Sequence, residues 1–230
     1  MYKQMNEWKH VFKLDPAKTI GDEQLEKVCE SGTDAVIVGG TDNITLDGVL
    51  DLLSRIRRFA VPCILEVSNM ESITPGFDYY FIPMVLNSTE KKWMMDIQHQ
   101  AVKEYQQIMA GYDLFAEGYC IMNEEAKAFK QTNCRRPSYD DVIAYALMAE
   151  RLFQLPIFYL EYSGTYGDPE LVTKVKNELK QTLLFYGGGI QTPEQAVQMG
   201  EIADIIVVGN SLYTDFQNAL KTVNAVKDKR

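Results

Sequence analysis

Residues 182–210 read TLLFYGGGIQTPEQAVQMGEIADIIVVGN, and this stretch holds a complete strand–helix–strand unit. "TLLFYGG" (182–188) is a short aromatic and aliphatic run, the composition of a buried strand. Thr192 offers a helix cap and Pro193 a preorganised first helical position. "DIIVVGN" (204–210) then returns as a second strand-like run rich in β-branched residues. Both runs end in glycine, at Gly187, Gly188 and Gly189 and again at Gly209.

The same alternation extends back to the start of the chain. Strand-like runs occur at "VFKLD" (11–15), "AVIVGG" (35–40), "CILEVS" (63–68), "YYFIPMVLN" (79–87), "AEGYCIMN" (116–123) and "PIFYLEYS" (156–163). Segments of helical period lie between them. Leu25, Val28 and Cys29 share one face before a stop at Gly32. Leu46, Val49, Leu50, Leu53 and Ile56 share another. A long amphipathic helix is predicted over 89–109. Ser138 with Asp141, and Asp168 with Pro169, mark two further helix starts. Phe216, Ala219, Leu220 and Val223 mark a last helix.

Eight strands, nearly all followed by helices, predict an α/β fold: a single (β/α)8 TIM barrel over residues 1–230. An open doubly wound sheet is the alternative, weakened by the lack of G-x-G-x-x-G after the first strand. One unit breaks the rhythm. Between strands three and four lies only "NMESITPGFDY" (69–79), too short and too broken by Pro75 and Gly76 for a full barrel helix. On the residues alone this is equally a shortened crossover or a missing wall segment beside a groove.

Composition narrows the function classes. The chain is 46% hydrophobic, enough for a sizeable core, and its net charge of −9 excludes a broad basic footprint for nucleic acid. The cysteines at 29, 63, 120 and 134 show no metal-ligand spacing and read as core thiols of a reducing, cytoplasmic setting. Two histidines leave little material for a histidine-rich metal site or a triad. The first residues lack the order of a signal peptide, and no apolar window is long enough for a transmembrane helix. "EKK" (90–92) and "KDKR" (227–230) read as solvated surface; Trp8 and Trp93 need no ligand to explain them, and the methionines of "WMMDI" sit at helical spacing, as packing or as the lining of an apolar groove.

In such a barrel the chemistry sits where strands run into loops at their C-terminal ends. "FYGGGI" and "VVGNSLY" follow strands seven and eight, where phosphate sites are commonly built. There Gly188, Gly189, Gly209 and Asn210 let backbone N–H groups approach an anion. Lys13 and Asp15 flank Leu14 and share the face towards the mouth. A lone aspartate suits Mg²⁺ shared with substrate phosphate oxygens. Tyr159, Glu161 and Ser163 share one face of strand six, with Leu160 and Tyr162 towards the helices. Glu161 is then a carboxylate able to orient or deprotonate a hydroxyl, or a structural partner of Lys13. By the same alternation Glu66 and Glu117 are weaker, structural or supporting, candidates.

"WKHVFKLDP", "GTDAVIVGGTD", "PCILEVS", "GFDYYFIPMVLNS", "AEGYCIMN", "LPIFYLEYSGTYGDPE", "LFYGGGI" and "IIVVGNSLY" together resemble the bacterial branch of the geranylgeranylglyceryl phosphate synthase family. The resemblance runs from Trp8 to the last helix. It implies a Mg²⁺-dependent prenyltransferase on a modified barrel, with a loop in place of the helix after strand three, beside a prenyl groove. The reaction implied joins the C3 hydroxyl of sn-glycerol 1-phosphate to a long polyprenyl, heptaprenyl, diphosphate for ether-lipid synthesis. Family contacts to glycerol phosphate carry over to Lys13, to Tyr159, Leu160, Glu161, Tyr162, Ser163 and Gly164, and to Gly189, Gly209 and Asn210. Metal positions carry over to Asp15 and Thr41. The resemblance also implies a homodimer, with transient membrane contact through the lipid product, and casts Glu161 as the base for the glycerol hydroxyl and Tyr159 as the residue that orients that hydroxyl.

Two other readings stay open on the residues. One is a barrel isomerase or aldolase acting on a sugar phosphate, which would share the phosphate loops but need no apolar groove. The other is a non-catalytic phosphate-binding protein, in which Glu161 would be dispensable.

Overall fold

The computed structural model describes residues 5–227, and every expected strand is present in it. They are β1 (His10–Leu14), β2 (Ala35–Val38), β3 (Cys63–Glu66), β4 (Tyr79–Val85), β5 (Asp113–Ile121), β6 (Ile157–Glu161), β7 (Leu183–Gly187) and β8 (Ile205–Val208). Each pairs in parallel with the next, and β1 closes on β8. Most of the expected runs overshoot the ladder by one or two residues. Gly39, Ser163 and Gly188 therefore lie just beyond strands.

Period-two alternation divides the core in two. Val11, Ile37, Ile64, Phe81, Phe115, Tyr159, Phe185 and Val207 fill the barrel. Phe12, Val36, Leu65, Leu160 and Tyr186 face the helices. Each fully buried aliphatic or aromatic side chain of this kind stabilises the fold by about 1.5–3 kcal/mol.

The helices follow their local signals. α1 (Asp22–Cys29) buries Leu25, Val28 and Cys29 as expected. α2 (Leu46–Ile56) is capped by Thr45, whose side chain accepts from Gly48 N. It buries Val49, Leu52, Leu53 and Ile56, while Leu46 and Leu50 stay exposed. The expected face was therefore rotated: residues 49, 52, 53 and 56 form the tighter i, i+3, i+4, i+7 stripe. The helix expected over 89–109 is shorter. A 3₁₀ turn at Lys91–Trp93 precedes α3 (Asp96–Met109), because Ser88 and Thr89 are drawn into hydrogen bonds with Thr132 O and Asn133 O.

α4 (Lys127–Gln131) and α8 (Ser211–Thr214) are short and carried no periodic signal. α5 (Tyr139–Leu147) starts on the Ser138–Asp141 capping box and ends in a π-helical segment, Met148–Phe153. α6 (Pro169–Glu178) and α7 (Pro193–Gly200) start on Asp168 and Thr192 with proline in the first turn. α9 (Phe216–Lys227) closes the described chain, and of the basic run 227–230 the last three residues lie outside it. No helix joins β3 to β4, so the wall of the barrel is open there.

The cysteines at 29, 63 and 120 are buried, Cys134 is half-buried, and all four are free thiols. Burial pushes the Cys29 thiol up to about 12, as expected of an unreactive core thiol. His10, at the start of β1, is wholly buried between the hydroxyls of Thr33 (3.0 Å) and Thr222 (2.9 Å). Burial lowers its pKa to about 3, against an ordinary 6.5. The unfolded chain therefore binds a proton that the folded one refuses. Its contribution is complete above pH 6.5 and is lost as pH falls from there towards about 3. Urea unfolding of wild type and His10→Gln at a series of acidic pH values should show the wild type losing about 1.4 kcal/mol per pH unit relative to the variant.

Candidate active site

Two cavities open at the C-terminal end of the barrel. One, of about 700 Å³, is lined by Gly187, Gly188 and Gly189, by Gly209 and Asn210, and by Asp15 and Thr41. The other, of about 430 Å³, is a mostly apolar groove running down the flank left open between β3 and β4. Its walls are the outward residues Ile82 and Met84 of β4, Trp93 and Tyr105 from the α3 side, and Met70 and Ile73 of the loop. The missing wall segment is thus a groove, and Trp93 faces it. Tyr105 Oη bonds Met70 O at 3.0 Å and Asn69 Nδ2 bonds Ile44 O at 3.0 Å, which hold the loop across the gap.

The two cavities meet. Lys13, Gly40, Thr41, Ala128, Glu161 and Ser163 line both. Glu161 lies at the last position of β6, opposite Ile121 and Gly187 in the ladder, and is 8% exposed. Its Oε1 accepts from Ser163 N at 2.5 Å. That bond is possible because the chain turns sharply there, with Ser163 at φ +32° and Gly164 at φ +83°. Burial raises the Glu161 pKa, opposed by the charge of Lys13 and the Ser163 bond.

Lys13 does not pair with Glu161. Its Nζ lies 2.6 Å from Glu66 Oε1, and Tyr119 Oη donates to Glu66 Oε2 at 2.5 Å. Burial alone would depress the lysine, but the carboxylates of Glu66 and Glu161 outweigh it and hold its pKa above the ordinary value. The structural reading in which Glu161 is the partner of Lys13 therefore falls to Glu66, and Glu161 is left facing the joint of the cavities. Tyr159 is buried and stacks on Tyr119, centroids 4.4 Å apart. Burial, then the charge of Glu161, push its hydroxyl up, so it remains a donor.

Among the other expected residues, Ser163, Gly164, Gly188, Gly189, Gly209 and Asn210 line the larger cavity. Leu160 and Tyr162 do not bring their side chains there. Leu160 is fully buried in the outer core, and the Tyr162 ring packs outward, 5.8 Å from that of Tyr186. Strand alternation sends even-numbered residues of β6 to the helices, so at most their backbone takes part. Tyr162 N is already spent on Gly187 O, at 2.7 Å.

Three contributors escaped the sequence reading. Lys18 bonds Asn210 Oδ1 at 3.0 Å, lies 3.9 Å from Asp15 and stands over the Tyr213 ring, so it links the first and last loops. Lys127 reaches across the chamber to Asp42 at 2.8 Å. Tyr119 completes the Lys13–Glu66 network and shares its face of β5 with Glu117, a signal that alternation alone could have supplied.

Among the described residues no group of three His, Cys, Asp or Glu side chains could hold a metal by itself. Asp15 lies at the rim, its Oδ1 accepting from Ala17 N at 2.9 Å. A Cβ on Gly40 would come within 2.6 Å of that oxygen, so the carboxylate leans on a bare backbone beside Thr41. This donor set is too sparse for a protein-only cage. It suits a magnesium ion that takes its remaining ligands from phosphate oxygens and water.

Comparison with known proteins finds relatives over nearly the whole chain. The model of the PcrB family matches residues 3–227. A protein of Oceanobacillus iheyensis named heptaprenylglyceryl phosphate synthase is 66% identical over 226 residues, 98% of this chain and 99% of that one. One from a Geobacillus species, of the same name, is 62% identical over 224 residues, 97% and 98% of the two chains. Among solved structures, (S)-3-O-geranylgeranylglyceryl phosphate synthase from Thermoplasma acidophilum, in complex with its substrate sn-glycerol-1-phosphate, aligns with a TM-score of 0.84. The two are 24% identical, and the alignment covers 98% of this chain and 96% of that one. The tryptophan synthase alpha chain of Legionella pneumophila aligns at 0.57 with 16% identity, covering 99% and 97%. At these identities the structures speak for the barrel alone.

Proposed function

Because the chain belongs to the PcrB family, we propose that it joins a long polyprenyl diphosphate to the C3 hydroxyl of sn-glycerol 1-phosphate and releases diphosphate, a step of ether-lipid synthesis. One observation carries this reading: a glycine-lined polar chamber and an apolar groove meet at Glu161. A reaction that unites a phosphate-bearing alcohol with an apolar chain needs that meeting point. The heptaprenyl length follows the names of the relatives.

In this mechanism the N–H groups of Gly188, Gly189, Gly209 and Asn210 hold the glycerol phosphate. Lys13, kept charged by Glu66, and Lys18 add positive potential. The polyprenyl chain lies along Ile82, Met84 and Trp93. The glycerol hydroxyl oxygen attacks the allylic carbon bearing the diphosphate. The new C–O bond forms as the bond to the diphosphate oxygen breaks, and diphosphate leaves with the electron pair. Glu161, held by the Ser163 N–H, takes the hydroxyl proton, and Tyr159, which stays protonated, orients that hydroxyl. Asp15 and Thr41 would hold Mg²⁺, which when bound supplies positive charge against the diphosphate.

The open alternatives lose ground. A Schiff-base aldolase needs a lysine that gives up its proton readily, and Lys13 is held in the opposite sense. A sugar-phosphate isomerase leaves the flank groove without a use. We extend the proposal to a homodimer, supported by the exposure of Leu152 (71%) and Phe153 on one flank and checked by sedimentation. Among the described residues no helix is long and apolar enough to cross a membrane.

The test is to incubate the protein with Mg²⁺, labelled sn-glycerol 1-phosphate and polyprenyl diphosphates of several lengths. Labelled ether phosphate extractable into organic solvent is expected, with the heptaprenyl donor preferred. Absence of product with every donor would overturn the proposal. The groove has its own test. Met84→Asp places a charge against the chain and should raise KM for the prenyl diphosphate by about tenfold or more. KM for glycerol 1-phosphate should stay within about twofold, since that ligand sits in the other cavity.

A further inference from the structure

Glu117 stands on the inward face of β5, between Phe115 and Tyr119, and is 0% exposed. Among the described residues neither of its carboxyl oxygens has a hydrogen-bond partner. An ionised carboxylate without partners in such a place is far more costly than a neutral one. Its surroundings add to that cost. Glu66 from β3 and Glu161 from β6 both act on it with negative charge, and Lys13 from β1, already engaged by Glu66, offsets them in part. Tyr119 and Tyr159 present hydroxyls that stay protonated. β2, β4, β7 and β8 turn apolar side chains inward: Ile37, Phe81, Val85, Phe185 and Val207. The one titratable inward side chain of β4 is Tyr79, at the opposite end of the strand beside Trp8.

The cluster thus holds three carboxyl groups and one lysine under a mouth whose proposed ligands are a phosphate and a diphosphate. With all three ionised, the cluster would carry two net negative charges; with Glu117 neutral, it carries one. We propose that Glu117 is a charge-setting positioning residue, a neutral carboxylic acid that keeps a single uncompensated negative charge beneath the mouth, that of Glu161. Burial first, then the charge of Glu66, push the Glu117 pKa well above the usual carboxylate range, which agrees with the geometry. The consequence concerns ligand affinity. When alkaline conditions strip Glu117 of its proton, a second negative charge beneath the chamber repels the phosphate and weakens its binding. The role in catalysis rests on the transferase reading above; the neutral state of Glu117 and its effect on phosphate do not.

Infrared spectra and phosphate binding test this on the whole protein. Wild type at neutral pH should show a protonated-carboxyl C=O stretch that disappears in Glu117→Gln and persists in Glu66→Gln. Inorganic phosphate, titrated by calorimetry from neutral to alkaline pH, should lose affinity more steeply in wild type than in Glu117→Gln. The two should agree within about twofold at neutral pH, where both side chains are neutral. Should the amide not fold, Glu117→Leu removes the same proton and gives the same two expectations. An unchanged carboxyl band, or superimposable binding profiles, would overturn the proposal. If band and profile behave as stated while no ether forms with any prenyl donor, the transferase reading fails and the assignment of Glu117 stands.

Discussion

Glu161→Gln should lower turnover by about two to four orders of magnitude and leave KM for glycerol 1-phosphate within about threefold of wild type. The amide keeps the size of the side chain and an oxygen for the Ser163 N–H, which now donates to Glu161 at 2.5 Å. It loses only the capacity to take a proton. In the proposed mechanism the glycine loops after β7 and β8 hold the phosphate, so its ground-state contacts should persist. The pH profile provides a second readout. Burial raises the Glu161 pKa above the ordinary 4.5, so the base is lost through protonation at a higher pH than for a free carboxylate. Turnover of wild type should fall as pH drops through that raised value, and the limb should vanish in the variant. Steady-state rates with labelled glycerol 1-phosphate across the acidic range measure both. A variant that turns over within about threefold of wild type would remove the proton-accepting role.

Gly189→Ala should be the most damaging methyl group that can be added to the chamber. Gly189 lies at φ +63°, where an L side chain costs about 1–2 kcal/mol. Its Cβ would also fall 2.2 Å from Tyr166 N, 2.3 Å from Thr165 C and 2.5 Å from Thr165 O. Those are backbone atoms, which cannot turn aside as a side chain can, so the loops after β6 and β7 must part, for about 1–3 kcal/mol more. Gly164→Ala is the matched control. It has φ +83°, but the nearest atom to its Cβ is Asn210 Nδ2 at 3.9 Å, so only the conformational cost applies. Thermal unfolding should place Gly189→Ala about 5–15 °C below wild type and Gly164→Ala about 2–8 °C below. Phosphate affinity should fall by about tenfold or more in the first variant, because a loop that must move can no longer aim its N–H groups. Equal losses in the two variants would refute the close-approach argument.

Most of the barrel is legible in the chain because its signals are local. A strand of 4–9 residues and a helix with a Ser, Thr or Asp cap announce themselves within a dozen positions, as Ser138–Asp141, Asp168–Pro169 and Thr192–Pro193 do. Period two also separates Tyr159 and Glu161 from Leu160 and Tyr162 without any knowledge of partners. Element ends were less legible. The helix after β4 starts at Asp96 instead of 89, because hydrogen bonds to Thr132 and Asn133, more than 40 residues away, claim its first turn.

The sequence by itself determined the eightfold alternation, the glycine loops after β7 and β8, the carboxylate at the end of β6 and the absence of a full helix between β3 and β4. Each depends on spacing along the chain. Only the tertiary structure decided who meets whom at the mouth. Lys13 chooses Glu66, 53 positions away, because closing the barrel sets β1 and β3 around one narrow interior. That choice leaves Glu161 without a lysine partner at the joint of chamber and groove, and among the described residues Glu117 has no hydrogen-bond partner. Charge pairing in a closed barrel is decided by distances across its interior, and those exist only after the last strand has closed on the first.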